Sequence, residues 1–465
     1  MKMTMQVSGT ALMIAISFGV AVHVQTASAQ EEQRRDYGKE AIELIRSFQS
    51  GAATEPNQWA LYGWVCSEGA NLAEMFEEHN DVALAFAEEH PDLYVWNEIA
   101  AGGSEPTYPE LRAAWERFES GIEDNSRFFD RLYSLAQSNH LVPPKPRKSL
   151  LEEFSPTLSQ SRLIGSMLQI RMQTQLQHED LDGLVQTYES SLGLGYANAA
   201  TGASVNYIVG VSHYFNGNKA AMRSCYSGAL DEAHCQQLID ITSRFPIPSA
   251  DLAVEYDRLI LLEAIDEFYW TFSNDGPNGA PGGEQFVRLV SGLASHGEAI
   301  AEGNRLYDAI RDSLCSTGEA KEQADAVLDH FRTLESSEDW QKRFKVIFLG
   351  SPSVGEFRRS GIVANTMHNG TIVMLGLELH RLRTGAYPAT LMELVPDFLH
   401  ELPLDPLTNT PLLYQLADDD ADYVLYSIGH DETDDSGKPH PNGVFRALEM
   451  NSDGFDFVFN DPRFR

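Results

Sequence analysis

The stretch Tyr423-Val-Leu-Tyr-Ser-Ile-Gly-His-Asp-Glu-Thr-Asp-Asp-Ser-Gly437 joins a strand-like apolar run to a loop crowded with carboxylates. A second strand-like run, Phe455-Asp-Phe-Val-Phe459, follows it. Aromatic and β-branched residues favour strands, whereas Asp, Ser and Gly favour turns. The two runs therefore predict a short antiparallel sheet with an acidic loop between its strands.

The acidic loop is a candidate cation site. Asp431, Glu432, Asp434 and Asp435 place four carboxylates within five residues. These charges repel one another, and a bound Ca²⁺ ion, which takes about six to eight oxygen ligands, would remove that repulsion. The alternative interpretation is a solvated acidic turn without an ion, which is also the simpler interpretation of the neighbouring cluster Asp418–Asp422.

Upstream of this stretch, apolar residues recur at helical spacing almost throughout. One example is the run Ala41, Ile42 and Ile45, and the pattern predicts about ten to twelve helices with short connections between residues 36 and 350. Among the predicted helices are those over 161–177, 180–192, 203–215, 231–245, 249–270, 284–295, 298–313 and 319–336. A further helix, over about 362–383, is expected to end at Gly385, since glycine is common just after a helix C-terminus.

These patterns predict a mainly α fold with two parts. A long antiparallel α-helical array would occupy 30–355, and a small α+β domain with a short antiparallel sheet would occupy 356–465. The run Pro143-Pro-Lys-Pro146 indicates a sub-boundary near 143–148 within the helical array.

The overall charge limits the kinds of partner. The 465 residues include 34 basic and 68 acidic side chains, for a formal net charge of −34. Such a surface repels phosphates and anionic lipids and attracts divalent cations. We therefore expect no nucleic-acid partner.

The N-terminal residues resemble an export signal. Lys2 precedes an apolar core over Ala11–Val24, and Ala27-Ser-Ala29 provides small residues for cleavage, so residues 1–29 are predicted to be a signal peptide. An uncleaved anchor is the alternative. No later stretch reaches the roughly 20 apolar residues that a membrane-spanning helix needs. The mature protein is therefore expected to be periplasmic or secreted, without a transmembrane segment.

Four cysteines in an exported chain favour disulfides. Cys225 and Cys235 lie close in sequence, at the end of one predicted helix and the start of the next. We therefore predict a bridge between them, with Cys66 and Cys315 paired by elimination. Four buried free thiols are the alternative.

Several common sequence motifs that identify an enzyme do not occur in this chain. The chain lacks Gly-x-Ser-x-Gly, His-Glu-x-x-His, a phosphate-binding Gly-rich loop and Cys-x-x-Cys. No catalytic residue is therefore predicted. Trp59, Tyr62 and Trp64 are candidates to line a ligand groove, although aromatic residues at this spacing more commonly belong to a core.

The order of motifs in the C-terminal part resembles a known family. Arg383-Thr-Gly-Ala-Tyr-Pro388, Leu402-Pro-Leu-Asp-Pro406, Tyr423–Gly429, Asp431–Gly437 and Asp456-Phe-Val458 follow one another as in the globular part of type II secretion major pseudopilins. The chain resembles more closely still a class of exported planctomycete-type proteins of uncharacterised function, in which such a module follows a long helical region.

In the pseudopilin, the loop between the last strands binds calcium. The resemblance implies that Asp431, Asp434 and Asp435 act as ligands, together with Ser427 or Asp456. Glu432 occupies the position that is glycine in the pseudopilin loop, so the loop geometry differs. The pseudopilin's prepilin signal and polymerising apolar helix have no counterpart here, so filament assembly is not implied.

The combined expectation is an exported, non-enzymatic binding or scaffold protein with a protein partner at the cell envelope. One alternative is a hydrolase-like envelope enzyme with its active site in the helical region, for which a cleft with buried, perturbed carboxylates or histidines would be the sign. Another is a component of a type II secretion or pilus-like assembly.

Overall fold

Helices make up most of the chain that the structure, a computed structural model, describes. The described residues are 35–49, 57–69, 72, 116, 120–121, 124–138, 141–146, 150, 157–272, 292–315, 318–344, 347, 354–417, 422–429, 433–441 and 454–461. The predicted signal peptide over 1–29 lies outside them.

The elements follow one another in an all-helical series that ends in a small sheet. They are α1 (Tyr37–Phe48), α2 (Ser126–Ala136), α3 (Thr157–Gln177), α4 (Leu181–Ala199), α5 (Ser204–Ser227), α6 (Glu232–Arg244), α7 (Asp251–Phe272), α8 (His296–Cys315), α9 (Gly318–Glu335), α10 (Glu338–Arg343), α11 (Val354–Thr384), a 3-10 turn (Leu391–Leu394), β1 (Leu413–Leu416), β2 (Tyr423–Ser427) and β3 (Phe457–Val458). Residues 59–69 are also helical.

Short polar side chains and glycines define the helix ends. Asp36, Asp180 and Asp231 each accept a hydrogen bond from a backbone N–H in the first turn of α1, α4 and α6, respectively. At the end of α11, Gly385 has a φ of +88° and its N–H donates to Arg381 O at 2.8 Å. These caps explain why the predicted starts of α4 and α6 and the predicted end of α11 lie within one residue of the structure. Other ends were predicted less well: α4 and α5 extend past their predicted ends at 192 and 215 to Ala199 and Ser227, and α11 begins at Val354, not near 362.

The predicted sheet is present and has one more strand than the sequence indicated. The three strands lie in the order β1-β2-β3, both pairs are antiparallel, and Tyr426 of β2 lies opposite Leu413 of β1 and Val458 of β3. Strand β1 was not predicted because it has only four residues and none of them is fully buried. The chain is therefore mainly helical with a small antiparallel sheet.

The sheet and the helices share one hydrophobic core. Buried residues of α3, α4, α5, α6 and α11 form a single cluster with Leu425 of β2, Phe457 of β3 and Phe459. The ring of Phe459 packs directly on α11 at Gly370, where a Cβ atom would lie 1.9 Å from Phe459 Cε1. The ring of Phe459 fits against α11 because residue 370 has no side chain. The domain boundary near 355 stays a prediction.

Two sequence predictions need correction. Residues 292–295, in the predicted helix over 284–295, are not helical, and the rest of that segment lies outside the described residues. The predicted Cys225–Cys235 disulfide is absent, because both residues carry free, buried thiols. They lie against the core cluster shared by the helices and the sheet, where the Sγ–H of Cys235 donates to Leu375 O of α11 at 3.5 Å.

The other two cysteines form no described bridge either. Cys66 is a free buried thiol, and burial raises its pKa to about 12. The side chain of Cys315 lies outside the described part. Free thiols in apolar surroundings behave as small hydrophobic groups.

Among the described helices, none combines the length and the apolar character that crossing a membrane requires.

Candidate functional site

The acidic loop is fixed to the last strand by backbone contacts. Asp456 N donates to Lys438 O at 2.8 Å, and Pro439 and Asp456 form a parallel bridge. The ammonium of Lys438 also lies 4.5 Å from the centre of the Phe455 ring and donates to Gly454 O. Residues 433–441 therefore run beside 454–456, and the loop carboxylates approach Asp456.

Asp456 is the most buried acid of this site, with an exposed fraction of 0%. Its Oδ2 accepts a hydrogen bond from Gly437 N at 2.7 Å, whereas its Oδ1 is buried without a hydrogen-bond partner. Burial is the main cause of a raised pKa at Asp456, the N–H groups of Gly437 and Asp435 oppose it, and the charges of Asp435 and Asp434 add to it. The negative form of this carboxyl is therefore incompletely stabilised by the protein.

Asp434 and Asp435 differ in their surroundings. Asp434 is exposed, and its Oδ1 accepts hydrogen bonds from Ser436 N at 2.8 Å and from the Tyr426 hydroxyl at 3.2 Å. Asp435 is half-buried, and its Oδ2 has no partner. The site thus contains two carboxylate oxygens, Asp435 Oδ2 and Asp456 Oδ1, that are removed from water and accept no hydrogen bond.

Ser427, predicted from the resemblance as a calcium ligand, lies elsewhere. Its hydroxyl hydrogen-bonds to the carboxyl of Asp405, and both side chains are almost completely buried. Asp405 also accepts from Leu407 N at 3.0 Å and so orders the connection before β1. The sequence pattern had placed Asp405 only within a Pro-rich connection, because nothing local indicates that it meets the end of β2.

The path of the loop requires an unusual backbone. Ser436 and Gly437 have successive positive φ values of +59° and +72°. A Cβ atom at Gly437 would lie 2.8 Å from Val424 Cγ1, so the backbone passes close to β2. This conformation is what points the N–H of Gly437 at Asp456.

The donor set of the described residues fits a calcium ion in part. Two orphan carboxylate oxygens and the exposed carboxylate of Asp434 are hard oxygen ligands of the kind that Ca²⁺ takes. Within the described part of the chain, however, no group of three or more acidic, His or Cys side chains has a geometry that would hold a metal. Asp431 and Glu432 lie outside that part, so a complete site would need them, backbone carbonyls or water.

The helical region contains buried titratable groups of its own. The imidazole of His213 is fully buried, it hydrogen-bonds Ser161 Oγ at 3.0 Å, and burial lowers its pKa to about 3. Burial raises the pKa of Asp257 to about 6. These are the perturbed groups expected of the enzyme alternative, but a catalytic site must also admit substrate.

Two prominent cavities lie in the described part of the structure, and neither is lined by His213, Ser161 or Asp257. One cavity, of about 600 Å³, lies beside Trp59, and the other, of about 520 Å³, lies beside Arg171 and Glu189. The contact between Ser161 and His213 is instead continued within the core, where Asn198 Nδ2 donates to Ser161 Oγ at 2.8 Å. The network therefore lies inside the core between α3, α4 and α5, where it satisfies Ser161 Oγ and His213 Nε2 but leaves His213 Nδ1 without a hydrogen-bond partner.

Comparisons with known proteins returned no family model, no curated protein and no solved structure that matches this chain.

Proposed function

We propose that this chain is an exported, non-enzymatic binding or scaffold protein of the cell envelope. Its C-terminal region would be a pseudopilin-like α+β module in which a structural Ca²⁺ ion orders the loop over 433–441. The ion would be held by Asp434, Asp435 and Asp456, with Asp431 completing the set. In this role calcium does no chemistry, and the ordered loop presents a surface for a protein partner.

The observation that carries the proposal is the pair of orphan oxygens, Asp435 Oδ2 and Asp456 Oδ1. Leaving a buried acceptor without a partner costs about 1–3 kcal/mol, and more when the group is charged. A divalent cation held by both carboxylates would offset that cost for the two oxygens at once. A solvated acidic turn would instead expose these oxygens to water.

Export is supported by the sequence alone, and the envelope partner is an expectation that follows from it. The proposed signal over 1–29 directs the chain across the membrane, where millimolar calcium concentrations suit weak extracellular sites. The net charge of −34 attracts divalent cations to the surface before binding.

The enzyme alternative has weaker support. Its candidate groups, His213 and Ser161, are enclosed by the helices and lie outside both cavities described above. Membership of a type II secretion or pilus-like assembly depends only on the order of C-terminal motifs.

The proposal is tested by thermal unfolding of the mature protein in EDTA and in increasing calcium. We expect calcium to stabilise the wild type by about 2.7 kcal/mol when its concentration is 100 times the dissociation constant. In Asp435→Asn this increase should be lost. In EDTA the same variant should be more stable than the wild type by about 1 kcal/mol, because the repulsion with Asp456 is removed.

Asp397→Asn is the matched control, since Asp397 is an exposed acid of the same region outside the site. It should retain the full calcium response. A wild-type stability that does not depend on calcium would contradict the proposal, as would an unchanged calcium response in Asp435→Asn.

A further inference from the structure

The larger of the two cavities described above, about 600 Å³, lies between α1, the helical residues 59–69 and the segment Val142–Lys145. It is far in sequence from the proposed calcium site and involves none of its residues. Trp59, which the sequence marked as a candidate for a ligand groove, is in its wall. Tyr62 instead belongs to the core, where its hydroxyl donates to Asn198 Oδ1 at 2.8 Å.

The cavity is basic although the protein is strongly acidic. Three of its eleven lining residues, Lys39, Arg46 and Lys145, are basic and one, Glu43, is acidic. Basic residues are thus about fourfold enriched relative to the whole chain, in which they number 34 of 465. A local reversal of charge of this kind selects an anion.

The cations of this cavity differ in how far their charge is already neutralised. The ammonium of Lys145 lies 2.5 Å from Asp36 Oδ2, and that of Lys39 lies 3.7 Å from Glu43 Oε1. Arg46 forms no hydrogen bond and no ion pair with any residue in the described ranges. Its planar guanidinium is therefore available for a bidentate contact with a carboxylate.

The walls of the cavity are held rigidly by side-chain clamps. Asn57 donates to Val142 O at 2.9 Å and accepts from Val142 N at 3.0 Å. Gln49 makes the same pair of bonds with Leu141, at 2.8 Å and 2.9 Å. The chain just before the predicted sub-boundary at 143–148 is thus bonded to Gln49, which follows α1, and to Asn57, and these bonds fix the cavity wall before any ligand binds.

The apolar part of the lining consists of flat rings. The indole of Trp59 packs on Tyr62 with ring centres 5.2 Å apart and remains half-buried, and Pro143 and Pro144 form another part of the wall. Indole and proline rings offer flat apolar surfaces to the face of a ligand ring. An open-chain acid has no flat face to pack on these rings, so the lining favours a ligand that contains a ring.

We propose that this cavity binds a small carboxylate carried on a six-membered ring. The carboxylate would contact Arg46, with Lys39 and Lys145 adding to the positive potential, and one ring face would lie on Trp59. This chemistry is shared by aromatic carboxylates and by sugar carboxylates. The inference is independent of the calcium site.

The test is a ligand-observed NMR titration of the full mature protein. The probes are benzoate and glucuronate, with benzyl alcohol and glucose as their uncharged counterparts. We expect at least one of the two carboxylates to bind and its uncharged counterpart to bind at least about tenfold more weakly. Which carboxylate binds more tightly distinguishes the aromatic from the sugar class.

Two variants locate the binding. Arg46→Gln should weaken carboxylate binding about tenfold and reduce its dependence on salt. Trp59→Ala should weaken it by a similar factor, and its fold is checked by circular dichroism because Trp59 also packs on the core. Arg127→Gln is the matched control, since Arg127 is an exposed arginine of α2 outside the cavity, and it should bind like the wild type.

Arg46 is exposed on α1, so Arg46→Gln is expected to fold. This variant therefore tests the inference even if Trp59→Ala does not fold. The inference is wrong if neither carboxylate binds below about 10 mM. It is also wrong if the uncharged counterparts bind equally well, or if Arg46→Gln binds as the wild type does.

Discussion

The contact between Phe459 and Gly370 predicts a strong coupling between two substitutions. Phe459 is fully buried, its ring packs edge-to-face on Phe457 with centres 4.8 Å apart, and it lies directly on the glycine of α11. Phe459→Ala should lower the free energy of unfolding by about 3–5 kcal/mol, from lost burial and the cavity that remains. The backbone bonds of residue 459, to Leu425 and to Tyr226, are unaffected by this change.

The sign of a second substitution should depend on the first. In the wild type, Gly370→Ala places a methyl group 1.9 Å from a rigid ring, and overpacking costs about 1–3 kcal/mol. In the Phe459→Ala background the clash is gone, and alanine gains about 1 kcal/mol from its better helix propensity. The double-mutant cycle should therefore give a coupling energy of about 2–4 kcal/mol.

Urea unfolding followed by far-UV circular dichroism measures these energies, since that signal reports the helices. Gly63→Ala is the control, because a Cβ atom at this helical glycine meets nothing within 4 Å. It should be neutral or stabilising in both backgrounds. If Phe459→Ala leaves the helical transition unchanged, or if Gly370→Ala has the same effect in both backgrounds, the shared core of helices and sheet is refuted.

Three further predictions test other parts of the structure. Asp257 has a folded pKa of about 6 against an ordinary value of 3.8, so it favours the folded state most below pH 4 and loses that contribution as the pH rises towards 6. Asp257→Asn should abolish that pH dependence. At about 1.4 kcal/mol per pKa unit, it should also raise the free energy of unfolding at pH 7 by about 3 kcal/mol. Unfolding curves of the variant at pH 4 and pH 7 that match those of the wild type would refute this. Gly437→Ala and Gly454→Ala each place alanine at a positive φ, which costs about 1–2 kcal/mol. Only residue 437 also lacks space for a Cβ atom, so Gly437→Ala should lower the melting temperature more than Gly454→Ala. Equal decreases in melting temperature would exclude the close approach of residue 437 to β2. Cys225 and Cys235 should resist maleimide in the native protein and react fully after unfolding without reductant, as peptide mapping will show, whereas a requirement for reductant would restore the disulfide.

The sequence by itself determined most of the helices and the position of the acidic loop. Helical periodicity, a capping aspartate such as Asp180 and a stop signal such as Gly385 act within a few residues, so their effect is visible in the order of residues. The same holds for β2, whose aromatic and β-branched residues favour a strand. The sequence also showed the cluster of four acids in the loop, because residues that are adjacent in sequence must lie close together and repel one another.

Only the tertiary structure decided what those elements meet. Strand β1 is too short to be recognised and exists because β2 pairs with it, and Cys235 stays a thiol among the core residues where α11 covers it. The burial of Asp456 and the contact of Ser427 with Asp405 depend on residues that are distant in sequence. The physical reason is that a local pattern fixes the conformation of a segment, whereas desolvation and contact arise only when segments pack together.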